Sequence, residues 1–267
     1  MTLVIATGGV DLSVGAVIAI AGTVLALLVA HAGLNPWLAM LITLGAGLAA
    51  GLANGLMVAA IGIEPIVATL VLMVSGRGIA QWLSDGEIVS FNNPSLSYVG
   101  SGYLFGFPFP AVVTLAAAAA TALFVRRTAA GLFIESSGDN PVAARICGID
   151  VRTVKLFVYA VSGLFAAVAG ILVASDTMSA DAANAGLYYE LDAILAVVIG
   201  GTSLTGGRFN LLGSLVGAAL IQAVNTTILM KGIRPEFTLV VKAVAVVAVC
   251  LLQSKAFRQR IGLAAVG

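Results

Sequence analysis

The stretch Val154-Lys155-Leu156-Phe157-Val158-Tyr159-Ala160-Val161-Ser162-Gly163-Leu164-Phe165-Ala166-Ala167-Val168-Ala169-Gly170-Ile171-Leu172-Val173-Ala174-Ser175 decides the fold. Its one charge, Lys155, lies near an end. About 20 such residues in a helix cross about 30 Å of hydrocarbon. Inside lipid only a helix or a closed barrel satisfies the backbone. A continuous run of Leu, Val and Ala lacks the alternation of a barrel strand, so the stretch reads as a membrane-spanning helix. Similar runs lie on either side of it, at 12–30, 36–61, 64–84 and 109–125 before it and at 187–201, 211–230 and 236–253 after it. The segment 187–201 is short for a span, which implies a tilted, membrane-thinning or re-entrant helix. The predicted fold class is all-α: a polytopic helical membrane protein with about eight transmembrane or re-entrant helices. The whole chain, 1–267, reads as a single transmembrane domain.

Composition agrees. Of 267 residues, 60% are hydrophobic and 9% charged, against about 25% charged in an ordinary soluble domain; mean hydropathy is +1.10. A soluble enzyme, a nucleic-acid binder and a disordered chain are excluded as readings. The net charge of +1 implies no acidic partner. Cys147 and Cys250 form no disulfide or zinc pattern, and His31 alone cannot build a metal site. No cofactor is expected.

Lys and Arg near helix ends mark the cytoplasmic side. The segment 126–155 carries Arg126, Arg127, Arg145, Arg152 and Lys155, and the tail carries Lys255, Arg258 and Arg260; both are expected inside. Segment 85–110 has Asp85 and Glu87 without a basic residue, and 176–190 has three acids without one; both are expected outside. The alternation also places Arg208 inside and, against the bias, Lys231 with Arg234 outside. Among 31 glycines, Gly47, Gly51 and Gly55 recur every fourth residue, as do Gly213 and Gly217. Such rows predict close helix–helix approach.

No catalytic site is expected. The Gly-rich stretch from Gly200 to Gly207 has no P-loop lysine, and no nucleophile–base constellation can be assembled. If ATP drives this protein, another chain binds it. The Gly-rich stretch reads instead as a hinge or tight turn. Asp11 reads as a cap on a helix beginning at Ser13 or Val14.

The loop Gly131-Leu132-Phe133-Ile134-Glu135-Ser136-Ser137-Gly138-Asp139-Asn140-Pro141-Val142-Ala143-Ala144-Arg145-Ile146-Cys147-Gly148-Ile149-Asp150 predicts a short helix from Pro141 to Cys147. Asn140 or Asp139 supplies the N-cap, Pro141 suits the first position and Gly148 ends it. Two turns with small Ala143 and Ala144 are not stable alone in water and call for a partner surface; an ordinary connecting loop reads equally well from the residues.

Polar groups at membrane depth face a cavity or a partner. Asn54, Arg77, Gln81, Trp82, Gln222 and Asn225 are candidates to line a path for a hydroxylated solute, where hydrogen-bonding groups beside an aromatic face are wanted. Interhelix hydrogen bonds and ion pairs are the alternative for each, as for Glu64, Glu190, Asp192 and Lys242.

Taken in order, Gly9-Val10-Asp11-Leu12-Ser13-Val14-Gly15, Ile66-Val67-Ala68-Thr69-Leu70 with Arg77-Gly78, the 131–150 loop, Tyr189-Glu190-Leu191-Asp192-Ala193-Ile194 with Val198-Ile199-Gly200-Gly201-Thr202-Ser203-Leu204-Thr205-Gly206-Gly207-Arg208, and Val241-Lys242-Ala243 carry a resemblance. The chain resembles the membrane permease subunit of bacterial ABC sugar importers of the ribose/galactose type, nearest in wording to galactofuranose permeases. The resemblance implies a multi-pass protein of the inner membrane. It implies a second permease subunit, identical or sister, with ATP-binding cassette subunits docked from the cytoplasm and a periplasmic sugar-binding protein. It likens Gly138, Asp139, Asn140, Pro141, Ala143, Ala144, Arg145 and Gly148 to the helix that couples permease to ATPase. Family members carry a further membrane helix upstream, so the chain is expected to be N-terminally short. A branched-chain amino acid ABC permease and an ion-coupled secondary transporter are the competing readings; an intramembrane enzyme has no supporting residues.

Overall fold

The computed structural model describes residues 1–232 with Val240, Ala243 and Val244. The expected span at 236–253, Lys242, Arg234 and the basic tail lie outside the described residues. The chain forms α1 (Thr2–Ala6), α2 (Val14–Ala30), α3 (Pro36–Leu56, continued by a π-helical turn Met57–Ile61), α4 (Pro65–Leu83), β1 (Val89–Ser90), α5 (Pro94–Ser101), β2 (Tyr103–Leu104), β3 (Phe107–Pro108), α6 (Phe109–Arg127), α7 (Ala130–Asp139), α8 (Pro141–Ile146), α9 (Val151–Thr177), β4 (Ser179–Ala180), α10 (Tyr189–Ile199) and α11 (Leu211–Met230). Five of these stretches are long and apolar enough to cross a membrane: 36–61, 65–83, 109–127, 151–177 and 211–228.

Local chemistry explains the ends. The Asn35 side chain accepts from Trp37 N at 3.0 Å ahead of Pro36, and Gly62, at φ +83°, stops the π-helical turn before Pro65 restarts the chain as α4. Helix α9, rising about 40 Å over its 27 residues, is the central mast. Helix α3 runs antiparallel to it along the predicted glycine row. A Cβ on Gly47 would strike Ala167, one on Gly51 the Tyr159 carbonyl, and one on Gly55 would sit 2.9 Å from Leu156 Cδ1. Gly213 and Gly217 likewise face the carbonyls of Gly200 and Ala196, seating α11 on α10.

Two apolar clusters mark the two ends of the mast. Val4, Val58, Ile134, Val158 and Tyr159 pack together toward its start, and Leu25, Phe91, Leu96, Ile171 and Ala174 toward its finish. At the finishing end β1 pairs antiparallel with β4, Val89 opposite Ala180, so the two base-free acidic segments of the sequence lie side by side. The short span at 187–201 is shorter still: α10 has 11 residues, about 16 Å. The segment 126–155 contains two helices where one was expected. Helix α7 was hidden because Gly131, Ser136, Ser137 and Gly138 form helix poorly in isolation. Its formation depends on tertiary burial of Ile134 and Ser137.

Candidate functional site

Helix α8 forms as its residues dictate. Asn140 is extended, and its Oδ1 accepts from Val142 N at 3.1 Å and Ala143 N at 3.0 Å. Pro141 opens the helix, and Gly148 at φ +85° turns the chain away. Ala144 is 4% exposed and turned inward, whereas Val142 and Ile146, one turn apart, are 66% and 82% exposed. With exposed Pro141, Ala143 and Arg145, they are what α8 offers to another surface. Asp139 is exposed beside the helix. The next helix is capped by Asp150, which accepts from Arg152 N and from the Thr153 hydroxyl. The Thr153 hydrogen bond holds the Asp150 carboxyl below the usual carboxylate range. Asp181, in the loop after β4, is lowered in the same way, chiefly by the Asn184 side-chain amide.

Gly138 does not belong to this face. A Cβ there would collide with the Ala6 carbonyl and lie 2.7 Å from Gly207 N. Gly207 N itself donates to Ala6 O at 2.9 Å. A Cβ on Gly206 would lie 2.9 Å from Gly8 N and 3.0 Å from the Gly138 carbonyl. Gly206 and Gly207 have φ near +90°, which only glycine adopts readily. Three backbones therefore touch directly: the end of α1, the end of α7 and the loop after α10. The hinge predicted at 200–207 is a contact point between elements.

The junction adjoins a buried polar knot at the break between α1 and α2. Asp11 is 2% exposed. One of its oxygens accepts from Ser13 N at 3.0 Å and Ser13 Oγ at 2.6 Å, and the other from Ser162 Oγ of α9 at 2.6 Å. Asn54 of α3 donates to Ser13 Oγ at 2.8 Å. The capping role expected of Asp11 is not what the structure shows: α2 has no side-chain cap, and Asp11 binds Ser13, just ahead of the helix, in a knot that ties α2 to α3 and α9.

The six proposed path residues do not converge. Asn54 is fully buried in the knot. Arg77 donates to the carbonyls of Ala182 and Ala185, pinning the loop ahead of α10. Gln81 and Trp82 lie on the outer surface of α4, Trp82 at 76% exposure. Gln222 is exposed on α11, and Asn225 donates to Asp192 of α10 at 3.5 Å. None lines the larger cavity, of about 590 Å³ between α1, α6, α9, α10 and α11. Its walls, including Leu3, Leu115, Phe165 and Leu215, are apolar and suit hydrocarbon better than a sugar. A second cavity, of about 340 Å³, is edged by Glu64, Arg145, Arg152 and Lys155 beside Gly62. For Asn54, Arg77 and Asn225 the physical reason is that polar side chains at depth first satisfy helix–helix and loop hydrogen bonds; Gln81, Trp82 and Gln222 instead lie on outer faces. Spacing alone does not distinguish that use from a path.

Five apolar helices long enough to cross a membrane define, among the described residues, a polytopic helical membrane protein. The chain belongs to the family described as branched-chain amino acid transport system / permease component, which matches residues 1–250. It is 54% identical to the galactofuranose transporter permease protein YtfT of Escherichia coli over 96% of this chain and 75% of that one. It is 42% identical to the fructose import permease protein FruF of Bifidobacterium longum, over 95% and 72%, and 37% identical to the ribose import permease protein RbsC of Bacillus subtilis, over 96% and 79%. No solved structure matches it. Membership and the apolar helices make it a multi-pass protein of the bacterial inner membrane.

Proposed function

We propose that the chain is the transmembrane subunit of an ATP-driven monosaccharide importer. It works with a second permease subunit, ATP-binding cassette subunits inside and a periplasmic sugar-binding protein outside. Helix α8 is the handle the ATPase grips, through Val142 and Ile146, with 126–155 in the cytoplasm. The Gly138 junction passes movement of that handle to the α1–α2 break and to the loop leaving α10. The observation that carries this reading is the pair of aliphatic side chains left exposed on a capped helix, joined through bare backbone to a break in a membrane helix. The named sugars of the three relatives favour a monosaccharide, galactofuranose first, over a branched-chain amino acid. An ion-coupled carrier would need no such handle.

The test is reconstitution with an ATP-binding cassette subunit and a periplasmic sugar-binding protein. Val142→Asp with Ile146→Asp is expected to abolish ATPase copurification and sugar-stimulated hydrolysis while leaving the membrane subunit folded. Unchanged assembly and uptake would overturn the coupling assignment. Stimulation by leucine-loaded rather than sugar-loaded binding protein would overturn the substrate class.

A further inference from the structure

The segment 88–125 contains no Asp, Glu, Lys, Arg or His, although its first part, before α6, is not a membrane span. Within it β2 and β3 form a hairpin, Tyr103 opposite Pro108, turned by Phe105 and Gly106. Both turn residues have positive φ, +51° and +83°. A two-residue turn of this kind favours Asn, Asp or Gly at its first position, and a bulky aromatic there is an outlier. Phe105 is 94% exposed, Tyr103 68% and Phe107 66%. The hairpin is nevertheless held firmly. The Tyr98 hydroxyl donates to the Tyr103 carbonyl at 3.0 Å, Phe109 N donates to Gly102 O at 2.8 Å, and the Tyr98 and Phe109 rings lie 5.3 Å apart.

Its position is set by α5, whose Gly100 lies against the backbone of Ser175 and Asp176 at the finish of α9, the end remote from α8. Trp37, at the start of antiparallel α3, and Trp82, at the end of α4, belong to the same end and are 62% and 76% exposed. Trp and Tyr collect where hydrocarbon meets water, because their rings carry a polar handle, and an exposed Phe beside them gains by entering the acyl region. Helix α6 starts at the foot of the hairpin; none of its residues is fully buried, and Thr114, Leu115 and Ala116 in its first half are exposed, so an apolar exposed surface continues from the hairpin onto the helix.

We propose that the β2–β3 hairpin is a membrane-interface anchor, placing Tyr103, Phe105 and Phe107 among the headgroups and upper acyl chains of the leaflet remote from α8. The partner is the phospholipid surface. The strained turn serves to aim a ring that no protein atom covers. The inference is independent of the transported substrate.

The test uses the full chain in phosphatidylcholine/phosphatidylglycerol vesicles. In a Trp37→Phe, Trp82→Phe background, Phe105→Trp is compared with Glu87→Trp, an exposed acidic position at the same end. Phe105→Trp is expected to emit at shorter wavelength than the denatured protein and to be quenched by lipids brominated near the headgroup; Glu87→Trp is expected to do neither. Water-like, unquenched emission from Phe105→Trp overturns the proposal. So does emission that shifts only when the periplasmic sugar-binding protein is added, which would assign the hairpin to protein docking. Should the tryptophan-free background not fold, Phe105→Cys in a Cys147→Ser, Cys250→Ser chain replaces it. Its reaction with a membrane-impermeant maleimide is expected to be slow in vesicles and fast in detergent, and equal rates would overturn the anchor.

Discussion

Both ends of α9 carry an apolar side-chain cluster, but what closes over each differs. At the α8 end, separate segments meet through backbone: Gly138, Ala6 and Gly207 touch with no side chain between them. At the other end, α5 and the β1–β4 pair close over an apolar cluster, and Arg77 pins the following loop by its carbonyls. Backbone contacts without side chains have little area to rearrange, so a displacement of one segment passes directly to the next. Interlocked side chains resist displacement and hold a fixed platform. With the proposed coupling role of α8, the difference predicts motion at one end and anchorage at the other.

The largest expected effect comes from filling the junction. Gly138→Val forces α7 away from α1, costing about 3 kcal/mol or more as an overpacked contact. Thermal unfolding in detergent should show it, and coupled uptake should be lost. If Gly138→Val leaves both unchanged, the contrast between the ends fails. Asp11→Ala comes next. It removes the acceptor of Ser13 and Ser162 and leaves Asn54 in a broken network, an expected loss of about 2–3 kcal/mol by the same measurement. At the anchored end, Arg77→Met is expected to cost about 1–2 kcal/mol and to speed proteolysis within 181–188, with coupling of hydrolysis to uptake preserved. Asn140→Ala removes the α8 cap at about 1 kcal/mol. Hydrogen exchange should rise over α8 alone, and Asn140→Asp should restore protection.

The smallest effect is a pH dependence. The Asp150 carboxyl is depressed in the folded chain, so it contributes stability above its unfolded value, and that contribution is lost as pH falls through the lower folded value. Asp150→Asn should therefore flatten the unfolding profile on the acid side of the ordinary aspartate range, by removing that contribution at neutral pH while leaving stability below the folded value nearly unchanged.

Much of this was legible beforehand. The spans announce themselves by length and apolarity, the Gly47–Gly51–Gly55 row by its period, and α8 by its cap, proline and closing glycine. Those signals are local, since each follows from a few neighbouring residues and the helix repeat. The candidate path was not legible in the same way. Asn54 and Arg77 are polar at depth as expected, but their partners, Ser13 and the 182–185 carbonyls, lie 41 and more than 100 residues away in the chain. The exposed face of α8 is not legible in the sequence, because Ala144 and Ile146 differ in burial only through what α8 rests against.

The sequence by itself determined a lipid-embedded helical protein, its charge asymmetry and where its short helix begins and ends, because hydrophobic length, charge placement and capping act over short range. Only the tertiary structure decided that three glycine-bearing segments converge, that polar side chains at depth tie helices together, and that an aromatic hairpin projects from the far end. Those outcomes depend on which remote segments come into contact, and contact between remote segments is set by packing of the whole chain.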